Sequence, residues 1–255
     1  AAADGPVSVT ANHSDLAGNS AAPSTRAFTK DTTLPTVAIT SPAAGSYINN
    51  VNKAAYTVSG TCSENGQNVV LSGSAAGATV ACTAGSWTAN LDFSAAADGA
   101  VSVTANHSDS AGNAAVASTR NFTKDTVIPT VAITAPAAAS AINAGNVAAF
   151  AISGTCSENG RTVTLSGSAS GSATCTAGAW STSLNFTAAA DGAVTIYADH
   201  SDLAGNPATQ DSRGFVKDVA APTVAITSPA SGSYINNANK AAFVISGTCS
   251  ENGQN

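Results

Sequence analysis

Lys30-Asp31-Thr32, followed by Pro35-Thr36-Val37-Ala38-Ile39-Thr40, returns at Lys124 to Thr134 and again at Lys217 to Thr227, at spacings of 94 and 93 residues. A second run, Gly60-Thr61-Cys62-Ser63-Glu64-Asn65-Gly66, recurs at Gly154 to Gly160 and at Gly247 to Gly253. Ala-Ala-Asp-Gly begins at positions 2, 96 and 189. A fixed period is read before any element is assigned, because it sets the number of folding units. Residue 1 corresponds to residue 95 and residue 255 to residue 68, so the chain begins and stops inside a repeat. The expectation is a window on a longer array, divided as 1–31 (the C-terminal part of a repeat, strands F and G), 32–125 and 126–218 (complete repeats), and 219–255 (strands A and B with the start of C).

Composition narrows the function classes. With Lys+Arg 9 against Asp+Glu 15 in 255 residues, the chain is mildly acidic and sparsely charged. That argues against nucleic-acid binding, which needs a basic footprint. No window has the length and hydrophobicity of a membrane span or a signal peptide.

Within one repeat the apolar residues alternate with period two, the pattern of half-buried strands, and no segment carries a helical stripe. Strands are expected at Thr36 to Thr40 (A), Ala55 to Cys62 (B), Asn68 to Gly73 (C), Thr79 to Cys82 (D), Trp87 to Phe93 (E), Ala100 to His107 (F) and Ser118 to Lys124 (G). Seven short strands with turn residues between them give an all-β chain of tandem seven-stranded immunoglobulin-like β-sandwiches in an extended array. The inward faces are Tyr56/Val58/Gly60/Cys62, Trp87/Ala89/Leu91/Phe93 and Val101/Val103/Ala105/His107. In the next copy they are Phe150/Ile152/Cys156, Trp180/Leu184/Phe186 and Val194/Ile196/His200. Asn-Gly at 65–66 marks the B–C turn, and Asp109 to Asn113 marks the F–G turn.

Five cysteines leave one unpaired. The repeat pairs Cys62 with Cys82 and Cys156 with Cys175 and leaves Cys249 over, its counterpart falling beyond residue 255. A disulfide closing a loop of about 20 residues is worth roughly 3 kcal/mol and would support a core of small side chains. Pairing implies an oxidising compartment. Zinc is the weaker reading, since the Cys-x-x-Cys spacing of structural zinc sites is missing.

A strand ending in Asp-x-Ala-Gly-Asn, a strand ending in Phe-Thr-Lys-Asp-Thr, and Pro-Thr-Val opening the next unit together resemble the tandem bacterial immunoglobulin-like repeats of large surface adhesins and biofilm proteins. The resemblance covers the whole chain. It implies a bacterial cell-surface or secreted, extracellular location, an extended rod, and in some members calcium held between domains. The cysteine pair is not general to such repeats, and these linkers carry fewer acids than the most calcium-dependent members.

Four acidic positions occur in every copy present: the E–F loop (Asp4, Asp98, Asp191), the F–G turn (Asp15, Asp109, Asp202), the linker (Asp31, Asp125, Asp218) and the B–C turn (Glu64, Glu158, Glu251). Consecutive sandwiches would bring Asp4, Asp31, Glu64 and Asp109 to one junction, and Asp98, Asp125, Glu158 and Asp202 to the next. Converging carboxylates of this kind suit calcium. The competing reading is local turn chemistry, which Asp also favours.

His13, His107 and His200 stand beside Ser and Asp, but neighbours on a strand point to opposite faces, so no catalytic relay forms. A structural rim histidine is the expectation. Trp87 and Trp180 fall on the core face of E, which leaves no sugar-stacking platform. Lys30, Lys124 and Lys217 end the G strands; beside the linker they read as solvated lysines rather than isopeptide donors.

No nucleophile–base pair stands out, so the chain is not read as an enzyme. The first functional expectation is a structural stalk of a repetitive surface protein, projecting or bridging in cell adhesion or biofilm. Its partners would be neighbouring repeats of the same chain and a cell-surface or matrix target bound by other regions. The alternative is a self-assembling extracellular filament or sheath, in which chains associate laterally.

Overall fold

The computed structural model describes residues 2–252, so the last three residues of the expected segment 219–255 lie outside it. The chain forms two compact units. The first comprises Ala1–Ile128 together with Ser201–Pro207, and the second comprises Pro129–His200 together with Ala208–Asn255.

In the first unit, β1 (Gly5–Ala11) and β2 (Ser24–Lys30) form an antiparallel hairpin. A full sandwich follows: β3 (Val37–Ser41), β4 (Tyr47–Ile48), β5 (Tyr56–Cys62), β6 (Asn68–Gly73), β7 (Ala78–Ala81), β8 (Ser86–Leu91), β9 (Gly99–His107) and β10 (Ser118–Lys124). One sheet has the order β3-β5-β8, the other β4-β10-β9-β6-β7. The second unit repeats this with β11 (Val131–Ala135), β12 (Ala141–Ile142), β13 (Phe150–Cys156), β14 (Thr162–Gly167), β15 (Gly171–Thr174), β16 (Ala179–Leu184), β17 (Gly192–His200) and β18 (Asp211–Lys217). It ends with the pair β19 (Val224–Ser228) and β20 (Ser246–Cys249).

Each complete sandwich therefore has eight strands where the sequence suggests seven. The additional one, Tyr47–Ile48, is two residues long and pairs in parallel with β10. Two residues carry no detectable alternation, yet the strand seats Ile48 in the core without exposure. The expected D strand, Thr79 to Cys82, is β7 and pairs with β6, which makes it an edge of the larger sheet.

The alternation read from the sequence is the burial pattern. Tyr56, Val58, Gly60 and Cys62 are buried while Thr57 and Thr61 between them are exposed. Tyr56 sits edge-on to Phe93 and Phe122, with ring centroids 5.9 and 5.4 Å away. Phe150 makes the equivalent contacts with Phe186 and Phe215 at 5.8 and 5.1 Å. Trp87 packs flat across Gly60, where an added Cβ would lie 2.7 Å from the indole and 1.8 Å from the Ala38 carbonyl. The Trp87 indole N–H donates to the Thr61 carbonyl at 3.2 Å.

Cys62–Cys82 and Cys156–Cys175 are disulfides, each with 6.0 Å between Cα atoms, and Cys249 is free and exposed. Each bond ties the middle strand of the smaller sheet to the chain leaving the edge strand of the larger one. It is a staple across the core.

Two substitutions separate shape from polarity in this core. Gly154→Ala drives a Cβ to 1.8 Å from the Ala132 carbonyl, and should lower the unfolding free energy in urea by at least about 3 kcal/mol. Tyr56→Phe removes a buried hydroxyl that lacks a hydrogen-bond partner, at a position where the next copy already has Phe150. It should leave stability unchanged or raise it by up to about 1 kcal/mol. Replacing Cys156 and Cys175 together by Ser should cost roughly 3 kcal/mol in the same assay.

Candidate functional site

The acidic positions singled out in the sequence lie at the loops and linkers. Asp98, in the loop before β9, accepts from the Lys124 ammonium at 2.9 Å on Oδ1 and from the Thr126 amide at 3.0 Å on Oδ2. The Thr126 hydroxyl lies 3.0 Å from both oxygens. Asp4 makes the same set with Lys30 and Thr32. In the second unit, Asp191 pairs with Lys217 at 2.7 Å, and Val219 stands where the other copies have Thr, so only a backbone amide follows, at 3.4 Å.

These lysines correct the sequence reading. Lys124 and Lys217 are each only 5% exposed, and Lys124 also donates to the Ala96 carbonyl at 2.8 Å. The β-strand register explains it: Lys124 shares the inward face with Phe122, and its stem runs through the core edge until the ammonium meets the Asp loop. The arrangement is an ion pair.

The linker acids cap their own turns. Asp31 Oδ1 accepts from the Thr33 amide at 3.0 Å, Asp125 from Val127 at 3.1 Å and Asp218 from Ala220 at 3.0 Å. The F–G turn is closed by its last residue: the Asn113 amide and side-chain NH2 donate to the two oxygens of Asp109 at 2.8 and 2.7 Å. The same NH2 reaches the Asp31 backbone carbonyl at 3.2 Å. Asn206 repeats the pattern with Asp202 at 2.8 and 2.7 Å and with the Asp125 carbonyl at 2.8 Å.

Glu64 and Glu158 take bonds from their neighbours Ser63 and Ser157, at 3.1 and 3.2 Å. Their backbone amides donate to Nε2 of His107 and His200, at 3.2 and 3.3 Å. Nδ1 of each ring faces a carbonyl, Asn68 at 2.9 Å and Thr162 at 3.0 Å. Both rings are 3% exposed with both nitrogens in use, so each histidine braces its B–C turn. His13, on the hairpin of the first unit, is exposed.

The structure thus links Asp31 to Asp109 and Asp125 to Asp202, through the amides of Asn113 and Asn206. Asp4, Asp98, Glu64 and Glu158 are held separately by Lys, Thr, Ser and backbone donors. Calcium needs six to eight oxygens free to face one point. Among the described residues no three of these acids gather at one point. What sequence reasoning missed is the donors. Their signal was present, because an Asn closes the Asp-x-Ala-Gly-Asn run in every copy and a Lys precedes the linker Asp in every copy.

The donors also set the acidity. Lys30 and the Thr32 amide bring the Asp4 carboxyl to about 2. Lys124 lowers that of Asp98, Lys217 that of Asp191, and the Asn113 side chain that of Asp109. A carboxyl depressed in the folded state stabilises the fold above the unfolded value of about 3.9, and that contribution disappears as pH falls through the folded value.

No family model and no curated protein sequence matches the chain. Among solved structures it is similar to part of a 1.5-MDa bacterial ice-binding adhesin studied for host cell surface retention. The two share 25% identity over 86% of this chain and 76% of that one, with a TM-score of 0.42. It is similar to the fibronectin(III)-like modules of CbhA from Clostridium thermocellum, at 20% identity over 72% and 94% of the chains and a TM-score of 0.48. It is also similar to a tetra-tandem repeat in the extending region of a large adhesion protein, at 22% identity over 88% and 60% and a TM-score of 0.35.

The Lys124–Asp98 pair is asymmetric, which gives a test. Asp98 is one-third exposed and can hydrate alone, whereas Lys124 cannot. Asp98→Ala should therefore lower the denaturation midpoint more than Lys124→Met does. Asp98→Ala should also flatten the loss of stability that the native chain shows in urea titrations as pH falls below about 4.

Proposed function

We propose that the chain is the structural stalk of a repetitive extracellular surface protein, holding an adhesive region away from its anchor. One observation carries this reading. Two complete sandwiches repeat the same core, the same disulfide, the same His brace and the same Lys–Asp pair, position by position. A protein that used one copy for recognition would let its loops diverge, since loops are where binding residues collect. Here the loop residues are committed to holding their own turns.

The inter-sheet disulfides support an oxidising location, outside the cytoplasm. The sparse charge and the Ser/Thr-rich outer strands fit a surface that stays hydrated without depending on salt. Each sandwich of strands about eight residues long would span about 40 Å with its loops. Stability in such an array is a sum of local terms and nearest-neighbour terms, so the pinned linkers decide its stiffness. Because the acids are engaged by Lys, Thr and Asn, this reading needs no cation.

Small-angle scattering of the chain with Cys249→Ser, in calcium and in chelator at several concentrations, tests it. An elongated particle with the same maximum dimension and melting temperature in both solutions is expected. A compact particle would sink the stalk. Stiffening by calcium would reinstate a metal at the linkers, and growth with concentration would favour the filament.

A further inference from the structure

The Asn206 side chain is without exposure, and its linker and Asp202 contacts do not exhaust it. Its Oδ1 accepts from the Asn50 backbone amide at 2.7 Å. Next to it, the Asn49 side-chain NH2 donates to the Ala204 carbonyl at 2.9 Å. All four residues belong to the first compact unit. With two donors and one acceptor engaged, the amide of Asn206 can be fully buried without a desolvation penalty.

The corner that meets it is built in advance. Asn49 accepts on Oδ1 from the amides of Val51 and Asn52, and Asn52 accepts from the Asn49 amide, at 3.0, 3.1 and 2.8 Å. This knitting orients the Asn49 NH2 and the Asn50 amide outward together. Asn143 with Asn146, and Asn236 with Asn239, knit the same corner in the later copies.

Asp109–Asn113 is the same turn without that occupant. Its internal bonds match those of Asp202–Asn206, but Ala111 is exposed whereas Ala204 is 7% exposed. A Cβ on Gly205 would meet the Asn49 NH2 at 3.3 Å, and one on Gly112 would meet nothing within 4 Å. Asn113 Oδ1 has no hydrogen-bond donor among the described residues.

From these differences we infer that the Asp-x-Ala-Gly-Asn turn is a docking knob whose partner is the Asn-Asn corner of another copy of this repeat. Asp202–Asn206 is the knob engaged, and Asp109–Asn113 is the knob open, since residues 1–31 carry no equivalent of the Asn49–Asn52 corner. The inference rests on the tandem-stalk reading and names the surface by which one copy grips the next. The recognition is polar and narrow: one carbonyl and one amide oxygen on the knob, one NH2 and one backbone N–H on the corner.

Two experiments test it, both in the full chain carrying Cys249→Ser. In amide hydrogen exchange, Asn206→Ala should speed exchange of the Asn50 N–H at least about tenfold. The core amides of Val163 and Ile196 should keep their native rates, and Asn113→Ala should leave Asn50 unaffected. Unchanged Asn50 exchange with a native core would overturn the engaged knob. In the second experiment, a copy of residues 32–94 placed ahead of residue 1 completes the first repeat in register. An Ala111→Cys thiol should then be labelled at least about tenfold more slowly than without the added segment, and an undiminished rate would overturn the open knob. Failure of either leaves the stalk standing if scattering still shows an elongated particle. A compact particle with Asn50 protected would remove the stalk and keep the contact.

Discussion

The bond from Cys62 to Cys82 spans the gap between two sheets whose facing side chains mix a few aromatic rings with small residues such as Val58, Ala89 and Ala105. Where Val and Ala line the core, each residue buries less than a Leu or Phe would, and buried apolar area is the main favourable term in folding. The staple lowers the entropy of the unfolded chain and relieves the core of part of that demand. Its placement also governs what surrounds it. Gly60 lies two residues before Cys62 on the same inward face, and the absence of a side chain there makes room for the Trp87 indole. Trp87 thus occupies the volume that the missing side chain of Gly60 leaves, and its N–H is satisfied by the Thr61 carbonyl.

The loops follow a different rule from the core. There the problem is not area but unpaired backbone groups, which are costly wherever water is excluded. The sandwich solves it with side chains of fixed geometry. His107 uses one nitrogen to accept from the B–C turn and the other to face the start of β6. Asn113 closes the F–G turn and holds the linker carbonyl. Asp98 receives the buried Lys124 and the first residues of the linker. Each device satisfies several groups at once, so charged residues can be few without leaving the loops loose.

How far the sequence discloses this depends on the range of the interaction. The period, the inward faces of β5, β8 and β9, the pairing of Cys62 with Cys82 and of Cys156 with Cys175, and the core position of Trp87 all follow from local alternation or from repetition. Tyr47–Ile48 is invisible because two residues have no period. The burial of Lys124 was within reach, since Phe122 two residues earlier fixes the inward face, but proximity to a linker suggested solvent. The acids were found and their donors were not. Asp attracts notice as a metal ligand, whereas Asn113, Thr126 and the backbone amides that occupy it become visible only when residues 80 or so positions apart, such as Asp31 and Asn113, are brought together.

The same carboxylates could serve a cation or a set of hydrogen-bond donors, and the choice has mechanical consequences. A calcium junction is only as stiff as the calcium supply, and its ligands repel one another when it leaves. Donors contributed by the chain are always present, and the acid–Lys pairs remain charged down to low pH because the ammonium depresses the carboxyl. Val219, standing where Thr32 and Thr126 stand in the other copies, weakens one such linker by removing a hydroxyl that would donate to Asp191. Where the donors come from the chain, a change at one position such as Val219 alters the hydrogen bonds that hold one linker, while Thr32 and Thr126 keep theirs in the other two.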